Sequence, residues 1–261
     1  MNTFYTEYKD LIKQCLTHNY NSKQIADTLY NKEVNRYQRI GFKPRVDEIN
    51  QIVNAIFETK SVDKPKHSQT FDFINTVSND RTLFVGEDNF SFCLSVAKQL
   101  RNPNNIIATT NEAQNEFLDL TKQNINSLHK FGIKIFCNTD ATAIHKNFAG
   151  QTFQNIIFQF PHIGSREPLE GRNPNFILLR DFLKSAKPLL SYGGKVIVSI
   201  VDSPYYQGAF QIEEAGTEAK YKRYSIYKFN PLLFQNYIHT MTNEDESAIS
   251  TNDDLITIVF E

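Results

Sequence analysis

The chain has 261 residues, a formal net charge of −1 and 40% apolar residues, with 21 Phe, 12 Tyr and no Trp. That charge excludes a chain that is basic throughout, and the length fits one large domain plus a small appendage. No apolar run reaches the ~20 residues that span a bilayer. The start, MNTFYTEYKD, lacks the basic-then-apolar pattern of a leader. Cys15, Cys93 and Cys137 are few, odd in number and far apart, with no CxxC. This argues against a disulfide framework and against a structural zinc site, so no metal is expected. A reducing, cytoplasmic setting is the expectation.

In chain order, residues 3–18 place Phe4, Tyr8, Leu11, Ile12, Cys15 and Leu16 at spacings of three and four, an amphipathic helix. Asn21, followed three residues later by Gln24, has the form of a capping box. Behind it Ile25, Ala26, Leu29 and Tyr30 make the inner face of a second helix. A looser segment, EVNRYQRIGFKP, leads to a third, with Val46, Ile49, Ile52, Val53, Ile56 and Phe57 inward. Residues 1–66 thus read as a small helical module. It is either a plain bundle or, by its Ser22, Ile25-Ala26 and Leu29 pattern, similar to the helix-turn-helix of resolvase-type recombinases. The module carries eight Lys and three Arg against eight acidic residues, so it is positive and the remainder negative. Arg36, Arg39, Lys43 and Arg45 cluster beside Tyr37 and Phe42. Such a patch either meets nucleic-acid phosphates or is a solvated loop.

TKSVDKPKHSQT at 59–70 is polar and aperiodic. It reads as a linker reaching to about residue 78. From 79 to 261 the rhythm changes. Strand-like runs fall at 82–85, 105–109, 133–137, 155–160, 195–201, about 222–228 and 255–260. Helical patterns at about 90–100, 114–130 and 173–190 separate the early ones. SYGG at 191–194 reads as a helix stop before a central strand. The alternation predicts an α/β domain with a mostly parallel seven-stranded sheet. It fits the Rossmann-like arrangement of class I methyltransferases.

The stretch RTLFVGEDNFSFCLSVA (81–97) reads as a buried strand, a turn at one glycine and a helix. In open α/β sheets ligands sit at the carboxyl ends of strands. Gly86 permits a sharp turn and close ligand approach. Glu87 and Asp88 would repel a pyrophosphate at a helix N-terminus, where anions otherwise bind. They suit a cationic ligand, and S-adenosylmethionine carries a sulfonium and an ammonium.

The same stretch resembles the LLVGEGxFSFSxSLA start of the Rossmann-like domain of the eukaryotic ribosomal-RNA uridine-N3 methyltransferases. Three further segments match in order. IIATTNEAQNEFLDLTKQNINSLHKFGIKIFCNTDATAIHK ends in that family's Asp-Ala-Thr signature at Asp140-Ala141-Thr142. FQNIIFQFPHIG is similar to FDxIIFNFPHxG. RNPNFILLRDFLKSAKPLLSYGGKVIVSI is similar to the next helix and strand. The likeness covers roughly 80–240 and leaves out the helical module. The sequence departs from the family in three places, the last of them a segment. Asp88 replaces the second loop glycine, Gln159 replaces an Asn, and FQNYIHTMT (234–242) keeps Tyr237 and His239 but lacks two arginines.

The resemblance implies an S-adenosylmethionine-dependent RNA methyltransferase acting on uridine N3 in ribosomal RNA. Implied cofactor contacts are Gly86, Glu87, Asp88, Phe90, Ser91, Thr110, Asp140, Ala141 and Gln159. Asp140 either holds adenine or caps a helix. The acid that usually binds the cofactor ribose is missing after the second strand, and Thr110, Asn111 or Glu112 must serve. Gln159-Phe160-Pro161-His162 closes the fourth strand, where the fold transfers the methyl group. The Gln159 amide can bind a base edge, Phe160 can stack a flipped base and Pro161 stiffens the turn. His162, with an ordinary pKa near neutrality, is the candidate base for the N3 proton or else anchors the next loop. Asp202 is a second candidate base. Tyr205 and Tyr206 either stack a nucleobase or pack. Arg36, Arg39 and Arg45 are the expected RNA phosphate contacts. Two other readings remain. One is a methyltransferase-fold protein that binds nucleic acid or protein without catalysis. The other is a DNA-binding regulator acting through the N-terminal module.

Overall fold

The computed structural model describes residues 3–17, 22–40, 45, 49, 52–53, 69–163, 168–169, 171–202, 208–237 and 255–261. Among them no helix is long and apolar enough to cross a membrane.

Helices α1 (Thr3–Thr17) and α2 (Ser22–Ile40) begin the chain. Ile49, Ile52 and Val53 are helical and buried against them. The capping residue Asn21 and the rest of the expected third helix lie outside the described residues. α2 runs ten residues past Tyr30, through the segment that reads as loose. The reason is Glu33. It continues the inward face after Leu29 and Tyr30, and it is fully buried. The Tyr8 hydroxyl donates to its Oε1 at 2.5 Å, and the Arg45 backbone N–H and guanidinium donate at 2.8–3.2 Å. Burial alone would raise the Glu33 pKa, but the Arg45 and Tyr8 hydrogen bonds outweigh it and hold the carboxyl below its ordinary value.

Arg45 is therefore part of the module's interior. Its guanidinium binds Glu33 and Glu7, the latter at 2.7 Å. The guanidinium expected to meet RNA phosphates is thus engaged by two carboxylates of the module. Arg45→Met is expected to strip the guanidinium from the buried Glu33 carboxylate and cost ~3–5 kcal/mol. Circular dichroism should show the module's helices melting early. An unchanged melt would contradict the ion pair.

Residues 69–71, ahead of the expected domain start at 79, already join the sheet. Lys228 donates its N–H to the Gln69 carbonyl and accepts from the Phe71 N–H, which adds this segment to a sheet edge. Helix α3 (Phe73–Val77) follows, capped by Asp72. Then come β1 (Thr82–Val85), α4 (Ser91–Gln99), β2 (Ile106–Thr109), α5 (Asp119–Lys130), β3 (Lys134–Phe136), α6 (Ile144–Asn147), β4 (Phe153–Gln159), α7 (Pro174–Ala186), β5 (Leu190–Val201), α8 (Ile212–Glu218), β6 (Tyr224–Lys228) and β7 (Leu255–Phe260). SYGG proves to be the start of β5 rather than a helix stop.

The sheet order is β3-β2-β1-β4-β5-β7-β6. β7 runs antiparallel to both neighbours and the other pairs are parallel. This is the class I methyltransferase topology. Alternation along the strands sorts the core into two layers. Leu83, Val85, Ile156 and Phe158 face α6, α7 and α8, with Phe148, Phe176 and Phe182. Phe84, Ala108, Ile157 and Ile197 face α3, α4 and α5, with Phe73, Phe92, Phe229 and Phe234. β1 lies between β2 and β4, so the order reverses there. The crevice at the carboxyl ends of β1 and β4 is the position such sheets offer a ligand.

Candidate functional site

β1 delivers Gly86 at its carboxyl end with φ +66°. A Cβ on Gly86 would lie 2.4 Å from Cε2 of Phe158, which pairs with Val85 across the β1–β4 ladder. The turn thus requires glycine twice, for its backbone angle and for the neighbouring ring.

The two carboxylates that follow part company. Glu87 is buried, its N–H donates to the Thr109 carbonyl, and its Oε2 accepts from the Cys93 N–H in the first turn of α4. Asp88 is exposed. Burial pushes Glu87 up to about 7, the Cys93 N–H opposes this, and the Asp88 charge adds to it. Asn89 accepts from the Ser91 N–H at 2.9 Å, and Asn124 donates to the Asn89 carbonyl at 2.8 Å. Phe90 adopts φ 59° and buries its ring beside Phe117. The loop therefore turns Glu87, Asn89, Phe90 and Ser91 inward. Phe90 shapes the turn, and its ring is committed to the core.

Glu87 gives a pH prediction. Its folded pKa lies above its unfolded one, so the native state holds the extra proton and stability falls as pH rises from about 4.5 through about 7. Glu87→Gln keeps an acceptor for Cys93 and removes the ionisation. It should stabilise the protein by roughly 2–3 kcal/mol at pH 8 and by little at pH 4.5. Thermal melts across this range test it. A variant less stable at pH 8 would contradict the burial argument.

After β2, Thr110 is buried. Its N–H donates to the Phe136 carbonyl and its hydroxyl accepts from the Glu112 N–H. Glu112 hydrogen-bonds the Asp88 side chain. Burial, then the Asp88 charge and hydrogen bond, raise Glu112 to about 7. Asp88, in the place of a family glycine, thus hydrogen-bonds the one carboxylate that the sequence offered for the ribose. After β3, Asp140 accepts from the Thr142 N–H and hydroxyl, both at 2.8 Å, and caps the turn Ala141–Ala143.

β4 ends in Gln159, both of whose amide atoms are buried with no hydrogen-bond partner among the described residues. Phe160 takes φ 46°, donates its N–H to the Ser199 carbonyl and meets Phe229 edge-on. Pro161 is buried and His162 half-buried. The Ile163 N–H donates to buried Asn175 at the start of α7. Asp202, half-buried, follows β5. The structure thus gathers Gly86, Asp88, Glu112, Gln159, His162 and Asp202 at the carboxyl ends of β1, β2, β4 and β5. Tyr205 and Tyr206 lie outside the described residues, as do the side chains of Arg36 and Arg39.

Sequence reasoning passed over Phe158 and Tyr237 as parts of this site. Phe158 looked like one more core residue. Tyr237 packs beside Phe92, and burial, then the Glu87 charge, push its phenol upward. Its place in the family's closing segment was the only signal. Among the described residues no group of His, Cys, Asp or Glu has the arrangement to hold a metal ion.

Strand order and the crevice residues define the class, a methyltransferase-type α/β fold. The family model described as BMT5-like, rRNA (uridine-N3-)-methyltransferase BTM5-like, matches residues 83–241. The chain belongs to that family. It is 32% identical over 133 residues to an uncharacterized protein of Arabidopsis thaliana, covering 47% of this chain and 63% of that protein. It is 31% identical over 124 residues to the human ferredoxin-fold anticodon-binding domain-containing protein 1, covering 46% of this chain and 19% of that protein. The match therefore spans under two thirds of either relative. A methyltransferase from Pyrococcus furiosus is similar in structure at TM-score 0.46 and 19% identity, over 81% of this chain and 93% of that one.

Proposed function

We propose that the protein transfers a methyl group from S-adenosylmethionine to N3 of a uridine in ribosomal RNA. The observation that carries this is Gln159. A buried amide with neither donor nor acceptor satisfied costs roughly 1–3 kcal/mol, and such a group calls for an explanation. It lies at the end of β4, one residue past the ring of Phe158 that fixes Gly86. A ligand in the crevice would supply both missing hydrogen bonds. Uracil presents two carbonyl acceptors and one N–H donor on its pairing edge, which an amide can read.

The cradle suits the cofactor. Gly86 lets a ligand approach the backbone closely, and the exposed carboxylate of Asp88 favours a cation over a phosphate. The cofactor would supply an electrophilic methyl on sulfur. The protein's own work is orientation and proton handling. Gln159 donates to a uracil carbonyl, where negative charge grows as N3 loses its proton. His162, two residues past Phe160, accepts that proton.

His162→Asn is therefore expected to cut the single-turnover rate ~10²–10⁴-fold and leave cofactor affinity unchanged. The wild-type rate should rise with pH as the imidazole loses its proton, and the variant should lose that rise. Near-normal turnover with the same profile would transfer the role to Asp202 or to no side chain.

A second reading, binding without catalysis, has one observation in its favour. Asp88 stands where the family has glycine and is bonded to Glu112. A wild type that binds RNA but neither binds nor uses the cofactor would establish it.

A further inference from the structure

The helical module touches the large domain at a defined place. Asp27 on α2 accepts from the Gln211 side-chain amide at 3.2 Å. A Cβ on Gly208 would lie 3.0 Å from Asp27 Oδ1 and 3.7 Å from the Ala26 Cβ, so helix and turn meet closely. Gln211 in turn accepts from Arg172. Arg172 pairs with Glu214 at 2.9 Å and lies 4.0 Å over the Phe176 ring. Asp27 is largely buried and, among the described residues, has no cation paired with it directly. Burial raises its pKa to about 6, with Lys23 opposing. A module that merely trailed on its linker would have no reason to bury this group.

Location gives the contact its meaning. Arg172 lies between β4 and α7, and Gly208 to Gln211 lie between β5 and α8. These segments leave the carboxyl ends of β4 and β5, where Gln159, His162 and Asp202 sit. The charge of α2 is also sorted. Its acidic residues are Asp27 and Glu33, one turned into this contact and the other into the module's core. Its basic residues are Lys23, Lys32, Arg36 and Arg39, and Lys32 is exposed. With both acids engaged, the charge that α2 leaves exposed among its described side chains is that of Lys32, which is positive.

We propose that Asp27 is a latch that fixes the basic helix α2 against the substrate side of the sheet, so that RNA is gripped by module and sheet together. This rests on RNA being the substrate. Asp27→Ala removes the latch, Asp27→Asn keeps an acceptor for Gln211, and Gln211→Ala breaks the contact from the other side. Hydrogen exchange by mass spectrometry should show faster exchange over 208–216 in the two alanine variants and near-wild-type exchange in Asp27→Asn. A uridine-containing ribosomal-RNA fragment should bind the alanine variants ~5–10-fold more weakly, about 1–1.4 kcal/mol, with S-adenosylmethionine affinity unchanged. Unaltered exchange, or loosened exchange with unaltered RNA affinity, would overturn the latch. Neither readout needs turnover. A wild type that grips RNA through the latch but never methylates it would overturn the proposed activity alone.

Discussion

Gly86→Arg is expected to abolish S-adenosylmethionine binding. The backbone there sits at φ +66°, which costs a non-glycine residue ~1–2 kcal/mol. The first side-chain atom would fall 2.4 Å from the Phe158 ring, far inside contact distance. Forcing bulk into a packed site adds ~1–3 kcal/mol, and the rest of the arginine would project into the crevice. Even Gly86→Ala should weaken binding at least tenfold, because the turn must shift to clear Phe158. Adding Phe158→Leu to Gly86→Ala relieves the clash but not the backbone strain, so partial recovery is expected. Calorimetry on variants shown to be folded by their melts is the test. Wild-type affinity in a folded Gly86→Arg protein would mean that the cofactor does not lie on this turn.

Gln159→Leu should act in opposite directions on stability and activity. The amide has no partner among the described residues, so an apolar side chain of similar size removes a desolvation cost of roughly 1–3 kcal/mol. The thermal midpoint should rise. Methyl transfer should fall ~10²–10³-fold, the usual effect of deleting a donor aimed at developing charge. Gln159→Asn, which restores the family residue, should keep most activity. If Gln159→Leu lowers stability and spares the rate, the amide has an undetected structural partner and no role in substrate recognition.

The strands were legible because a sheet covered on both faces leaves short apolar runs, and Thr82–Val85 and Leu255–Phe260 stand out as such. α2 was misjudged at Glu33 because a carboxylate on an inner face looks like the end of that face. Only the three-dimensional return of Arg45 and Tyr8 shows why it is tolerated. The sheet contact of residues 69–71, inside the expected linker, was hidden for a similar reason. Gln69 to Phe71 join the sheet through backbone groups of Lys228, a pairing with no side-chain signature.

At the site, the motif located the turn but not the direction of its side chains. Glu87 and Asp88 are adjacent and chemically alike, yet one caps α4 from beneath and the other meets Glu112. Spacing cannot separate them, because the irregular path of the turn decides which points inward. The orphaned Gln159 amide was likewise invisible, since a missing partner is a property of the packed structure.

The central claim is methyl transfer to uridine N3. The direct measurement incubates purified protein with ribosomal RNA and methyl-deuterated S-adenosylmethionine, then identifies nucleosides by mass spectrometry. The account predicts labelled N3-methyluridine from wild type and none from Gly86→Arg. Label on another atom or base would contradict the target, and no label with a protein that binds both ligands would contradict catalysis itself.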